Sequence, residues 1–191
     1  MLVRELLALP PDDRVFGVVA IRSGREVGAD GVRALHDVGC TARLLRADEH
    51  DDGRFDIVTS GDRRFALRGV EHDRPFLVGT VDWLDDVPGT GDLAALDAGV
   101  RTSYDAYVAA LRAAGADAVP APLPEDSTAL SYAVAGSVLL DLGARQGLLA
   151  EPDVCARLRS ERALLRREAR LIGELGALPA PDLTRVPLGL N

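Results

Sequence analysis

The sequence predicts an α+β chain in two parts, and two observations carry that reading. Between Phe55 and Leu84 three short runs set apolar residues two apart, the period of a strand. From Leu93 onward they recur at about 3.6, the period of a helix. Between them Asp85 to Gly91 (DDVPGTG) fits neither pattern. The boundary therefore falls there, with a β domain over 1–88 and a helical domain over 89–191.

Taken in order, Leu2, Val3, Leu6 and Leu7 share one face of a short helix that Pro10 and Pro11 end. Phe16 to Ile21 (FGVVAI) is an apolar run of strand length, and SGREVGADG at 23–31 reads as a loop. Val38 to Ala47 is the next strand, and Asp52-Gly53 marks a hairpin before Phe55. Phe55, Ile57 and Thr59 line one side of the following run. Gly61 then interrupts a strand pattern, as at a bulge or bend that lets a sheet curl. Phe65 and Leu67 share a side, with Arg64 and Arg68 opposite; Arg63 and Arg64 read as ordinary strand-face charges. In the third run Phe76, Val78 and Leu84 face one way, and Leu77, Val81 and Trp83 the other. Both sides are apolar, which predicts a strand covered on both faces or set against a second domain.

The helical part opens with Asp92 as an N-cap. Leu93, Leu96, Val100, Tyr104, Tyr107 and Leu111 then fall on one face of a helix reaching about Ala114. Ala118 to Pro124 is a proline-rich, extended connector. A second helix starts near Ser127, and its apolar positions (Val134, Val138, Leu142) run nearly all round it, as in a buried helix. A short helix over Ala144 to Ala150 precedes Pro152, which suits a first helical position. In the last helix Val154, Leu158, Leu165 and Ile172 form a seam. Arg157, Arg159, Arg162, Arg166, Arg167 and Arg170 interleave with Glu161, Glu168 and Glu174, the pattern of a solvated face. Gly173 and Gly176 mark its fraying end, and the tail is irregular.

At 191 residues the chain is long enough for a real core. No apolar run approaches the ~20 residues that cross a bilayer, and MLVRELLALPPDD is too short for a secretory signal. Cys40 and Cys155 lie far apart with no CxxC pair, which favours a cytoplasmic chain without a disulfide framework. The net charge of −8 is spread over both parts: 17 acids against 12 arginines in 1–90, and 13 against 10 in 91–191. An acidic surface repels phosphate backbones, so no nucleic-acid partner is expected. There is no lysine, which excludes a P-loop lysine, a Schiff-base lysine and a Ser-Lys dyad.

No constellation carries chemistry. His36, His50 and His72 lie in loop-like segments and read as solvated surface residues. His36 with Cys40 does not extend to a zinc set. The acidic run Asp48 to Asp52 before Gly53 resembles half a calcium loop, but Thr59 stands where the bidentate Glu belongs. Ser137 lies outside any GxSxG elbow. PGTGD at 88–92 sets glycines at a helix start, yet no phosphate-binding fingerprint precedes them. No catalytic residue, cofactor or metal follows.

Three motifs then carry a family resemblance. The first is LVRELL followed by FGVVAIRSGREVG; the second is VGCTARLLRADEHDDGR, with Val38, Gly39, Ala42, Arg43, Asp52, Gly53 and Arg54; the third is SGDRRFALRGV with its following strand, with Gly61, Arg64 and Phe65, all within 2–28 and 38–84. Together they resemble the substrate-binding, N-terminal domain of Lon proteases, in its stand-alone bacterial form. The resemblance implies a PUA-like β pseudo-barrel followed by an α-helical bundle. It also implies recognition of protein or peptide substrates rather than their cutting, since neither an ATPase nor a Ser-Lys protease module is present. It further implies two strands ahead of the first helix, inside which this chain begins at Met1. A barrel without them exposes a strand edge and apolar side chains.

The reading that follows is a non-catalytic domain for peptides or unfolded segments, with no membrane partner and with homo-oligomerisation through the open edge as a further outcome. Phe76, Trp83 and Leu84 are the candidate groove residues, against buried packing as the other account of each. The alternatives are a PUA-like nucleic-acid or nucleotide binder, which needs a contiguous arginine patch, and a small-molecule hydrolase, which needs a pocketed base.

Overall fold

The computed structural model describes residues 2–24, 32–71, 73 and 76–175. The expectations for most of the 23–31 loop, for His72, for Gly176 and for the tail lie outside those residues. The chain divides into two compact units, one ending at Asp85 and the other beginning at Asp86.

The first unit opens with α1 (Leu2–Leu7) and a 3-10 turn at Pro11–Asp13. Among the described residues the strands that follow are β1 (Val15–Val18), β2 (Ile21–Gly24), β3 (Val32–Leu35), β4 (Val38–Glu49), β5 (Phe55–Glu71) and β6 (Val78–Trp83). An antiparallel sheet has the order β1-β4-β5-β6, and β2 pairs with β3 separately. The FGVVAI run is thus two strands rather than one. β1 stops at Val18, and the chain crosses Val19 and Ala20, whose carbonyl accepts from His36 N (2.9 Å), to enter the second ribbon.

The β4–β5 hairpin turns where Asp52-Gly53 predicts. Gly53 has φ +81°, which a Cβ disfavours, and its N–H donates to His50 O (2.9 Å). β5 runs 17 residues and passes Gly61 without ending. Instead the register slips there, so that Asp62 and Arg63 both oppose Thr41. Thr41 Oγ1 secures this bulge, accepting from Arg63 N (3.0 Å) and donating to Arg63 O (3.1 Å).

The middle of the sheet is organised around Phe65, which is only 2% exposed. Its ring lies across Gly39, its paired residue on β4, so closely that a Cβ there would sit 2.5 Å from Cζ. Two motif positions are thereby one packing event. The sheet's edges are β1 and β6, neither with a further strand among the described residues. Cover on both faces, one of the two accounts of the third run, is overturned: among the described residues β6 is an edge strand, and Gly79, Thr80, Asp82 and Trp83 along it are exposed.

The second unit contains α2 (Leu93–Ala113), α3 (Ser127–Ser137), α4 (Leu142–Ala150) and α5 (Val154–Leu175). Each begins behind an aspartate whose carboxylate accepts the amide of an alanine three residues on. The pairs are Asp92 with Ala95, Asp126 with Ala129, Asp141 with Ala144 and Asp153 with Ala156. The α2 face predicted from sequence is the face that packs, with Val100, Tyr104, Tyr107 and Leu111 buried against Leu130, Val134, Leu158 and Leu165. The extended connector after α2 is pinned: Tyr104 Oη accepts from Ala121 N, and Arg112 Nε donates to Ala118 O.

Two helical expectations need correction. α3 ends at Ser137, Val138 being buried in an extended conformation, because Asp141 caps a new helix; Leu142 opens that helix and is exposed. On α5, Arg157 and Glu161 are buried, not solvated. Both lie on the Val154–Leu158–Leu165 seam, at spacings of three and four, which geometry places inside whatever their charge.

Candidate functional site

β5 and β6 bring Phe65 and Trp83 into register as direct cross-strand partners. Their rings meet edge to face at 6.5 Å and 86°, an orientation that favours the aromatic pair. The Arg63 guanidinium lies 4.8 Å from the Trp83 ring centroid and donates to Asp85 Oδ1 (3.2 Å). Trp83, the chain's only tryptophan, is thus held in place yet remains 50% exposed. It sits on a strand whose other edge has no strand partner among the described residues. Leu77, just before that strand, is exposed too.

The three predicted groove residues do not converge. Leu84 follows Trp83 directly, and its amide extends the ladder to Arg64 O (3.1 Å), so the two side chains leave opposite faces. Leu84 is half-buried, and Phe76 is half-buried ahead of β6. Trp83 alone of the three is exposed. Sequence reasoning missed the support beneath it. The bulge puts Arg63 on the Trp83 side, and Arg64 is a buried residue whose guanidinium donates to Asp85 O (3.2 Å), not an ordinary strand-face charge. The cue was the slip of period at Gly61.

The other candidates are occupied. His50 Nε2 meets Asp56 Oδ2 at 2.9 Å on the exposed hairpin. Burial pushes the Cys40 thiol up, away from the thiolate that a nucleophile needs. The glycines at 89 and 91 are packed against Asp153 and Arg159, and Arg159 donates to Thr90 O. The first turn of α2 is capped by Asp92, so side chains of the unit already fill the anion position. The hairpin-tip acids bind arginines, Asp48 with Arg46 and Asp52 with Arg54. Arg4, Arg43, Arg63 and Arg68 likewise each meet a carboxylate, which breaks up any contiguous basic patch along the sheet. No described helix is long and apolar enough to cross a membrane.

The second unit holds a different polar cluster. Arg157, 0% exposed, pairs with Asp86, donates to Ser131 Oγ (2.9 Å) and Glu151 O (2.7 Å), and stacks 4.3 Å from the Tyr132 centroid. Tyr132 Oη donates to Asp86 as well (2.9 Å). On α2, burial opposes the charge of Asp97, but bonds from Arg101 and Ser127 outweigh it and hold the carboxyl below its usual range.

Residues 1–167 match the family model described as the ATP-dependent protease La (LON) substrate-binding domain. Among curated proteins, the chain is 34% identical over 91 residues to a Lon protease of Porphyromonas gingivalis, covering 47% of this chain and 11% of that protein. It is 29% identical over 158 residues to Lon protease 2 of Herpetosiphon aurantiacus, covering 82% and 19%. The chain therefore spans about a tenth to a fifth of the length of the curated relatives it matches. Among solved structures, a Lon N-terminal domain protein from Xanthomonas campestris aligns with a TM-score of 0.48 at 19% identity, over 78% of this chain and 88% of that one. The N-terminal domain of the Mycobacterium avium complex Lon protease gives 0.47 at 17%, over 82% and 89%.

Proposed function

We propose, from the premise that this chain belongs to the ATP-dependent protease La (LON) substrate-binding domain family, that its sheet unit binds extended segments of other protein chains and performs no chemistry on them. The observation that carries this reading is a half-exposed tryptophan braced on an edge strand. Such an edge offers unpaired main-chain donors and acceptors, and an incoming strand gains affinity from pairing with them. Trp83 supplies what backbone pairing lacks, a large rigid anchor of the kind that dominates binding energy when its surroundings exclude water. Phe65 and Arg63 fix the ring beforehand, so less side-chain entropy is lost on binding. Unfolded or peptide segments with apolar side chains are the matching partner class. Cutting them is a separate task, because the match over residues 1–167 is to a substrate-binding domain.

Since Trp83 is the sole tryptophan, its fluorescence reports on this edge alone. Titrating the full chain with an unfolded model polypeptide is expected to shift that emission to the blue. Trp83→Ala is expected to weaken binding by about 30-fold, the effect of a ~2 kcal/mol anchor. A peptide array showing no enrichment over scrambled sequences, or an unchanged affinity for Trp83→Ala, overturns the reading.

A further inference from the structure

Within the second unit, α3, α4 and α5 border a small, partly open apolar space lined by Val134, Val138, Leu140, Leu148, Leu165 and the aliphatic part of Glu161. The space has room for about one water molecule, and a buried water needs two to four polar partners, which this lining does not supply. Glu161 is 2% exposed, and neither of its carboxyl oxygens has a hydrogen-bond partner. No organic ligand fits there, and no second polar group stands ready to exchange a proton with it. A binding or catalytic role is excluded by size and by chemistry.

None of the surrounding charges hydrogen-bonds the Glu161 carboxyl, although the Nε of Arg162, the next residue, is itself buried without a hydrogen-bond partner. Arg157, one turn earlier on α5, attracts Glu161 but spends its guanidinium on Asp86, Ser131 and Glu151. Arg162, the next residue along, lies over Gly99 of α2. From α3, Tyr132 donates to Asp86; from α2, Tyr107 Oη accepts from Leu139 N. α4 contributes Leu148, while its Arg145 is exposed. An ionised carboxylate left unpaired among aliphatic side chains is strongly unfavourable, whereas a neutral one is tolerable.

We propose that Glu161 is a proton-operated latch: the helical unit packs around it only as a neutral acid, and its ionisation parts α3 and α4 from α5. The direction of the charge balance agrees. Burial pushes the Glu161 carboxyl up to about 9, with Arg157 opposing, from an ordinary 4.5 in the opened chain. Between those values the closed state holds one proton more than the opened state, so closing takes up a proton. The latch is fully set below pH 4.5, weakens about tenfold per pH unit above it, and is lost as pH passes 9.

Amide hydrogen exchange of the full chain between pH 5 and 9, corrected for intrinsic rates, tests this. Protection in α3 and α4 is expected to fall about tenfold per pH unit in the wild type. It is expected to stay flat in Glu161→Gln, which keeps the shape and cannot ionise, and flat again in the apolar Glu161→Met, so that either variant reads the result if the other folds poorly. Unfolding enthalpies in two buffers of different ionisation heat should differ by one proton's worth for the wild type alone. A wild type without the slope, or a variant that keeps it, overturns the proposal. Neither result bears on peptide binding at Trp83, whose readout is separate.

Discussion

The sheet unit and the helical unit differ in how they gather apolar residues, although both leave some exposed and both bury an arginine, Arg64 in one and Arg157 in the other. Among the described residues the sheet buries Leu6, Ala42, Leu44, Phe65 and Ala66 while exposing Val18, Leu45, Ile57, Leu77 and Trp83. The helices bury a continuous core from Val100 to Ile172, and take Arg157 and Glu161 inside with it. Single exposed apolar side chains are ordinary, but a tryptophan braced on an edge strand is apolar area that its own unit does not cover. Conversely, a buried charge is kept only where something offsets its desolvation. The sheet thus leaves a braced aromatic ring exposed at its edge, whereas the helices hold an arginine and a glutamate together in their interior. Each prediction below asks whether that division is real.

The largest effect belongs to Arg157. It is wholly buried and joins Asp86, Ser131, Tyr132 and the Glu151 carbonyl, so Arg157→Ala strands several polar groups at once. Removing one partner of a buried pair costs about 3–5 kcal/mol. Urea unfolding is expected to show that loss in the helical transition. A loss below about 1 kcal/mol, the size of a surface pair, would show that the cluster is solvated and the comparison mistaken.

Next comes Gly39, the sheet's counterpart. Its hypothetical Cβ meets the Phe65 ring at 2.5 Å and Val18 O at 2.7 Å. Gly39→Val is therefore expected to cost about 1–3 kcal/mol by overpacking. The helical transition should move by less than about 0.5 kcal/mol, since the residues share no partners. Phe65→Leu in the same chain should restore part of the loss, because it withdraws the ring atoms that clash. Equal losses in both transitions would mean that the units do not unfold independently.

The difference between the units also explains what could be read in advance. A helix imposes one period on its buried face, so Val100, Tyr104, Tyr107 and Leu111 on α2, and Val154, Leu158, Leu165 and Ile172 on α5, were visible as core from spacing alone. The same spacing points inward at Arg157 and Glu161, where position on the helix outweighs charge in setting burial. In the sheet, side-chain alternation locates a strand but not its neighbours. Whether β6 is central or at an edge depends on distant pairing, so alternation sets Trp83 opposite Phe76 and Leu84 without showing which of the three is left exposed. The family motifs mark two kinds of demand: Gly53 is a local turn with φ +81°, and Gly39 is a seat for Phe65 from the neighbouring strand.

The smallest effect tests whether local chemistry or core packing sets the helix boundaries. The four helices described in the second unit each start with aspartate followed at the third position by alanine, as in Asp126-Ser127-Thr128-Ala129. The carboxylate satisfies an amide that the helix itself leaves unpaired, here Ala129 N at 2.8 Å. Asp126→Ala is expected to lower the helical transition by about 1 kcal/mol, whereas Asp126→Asn, which caps comparably, should lose only a small part of that. Asp126 is exposed, so packing contributes little to the difference between the two variants. Should Asn lose as much as Ala in the urea midpoint, the hydrogen bond is not what stops the helix there. The boundary would then follow from the burial of Leu130 and Val134 just beyond it, and the helical unit would be specified by its core alone.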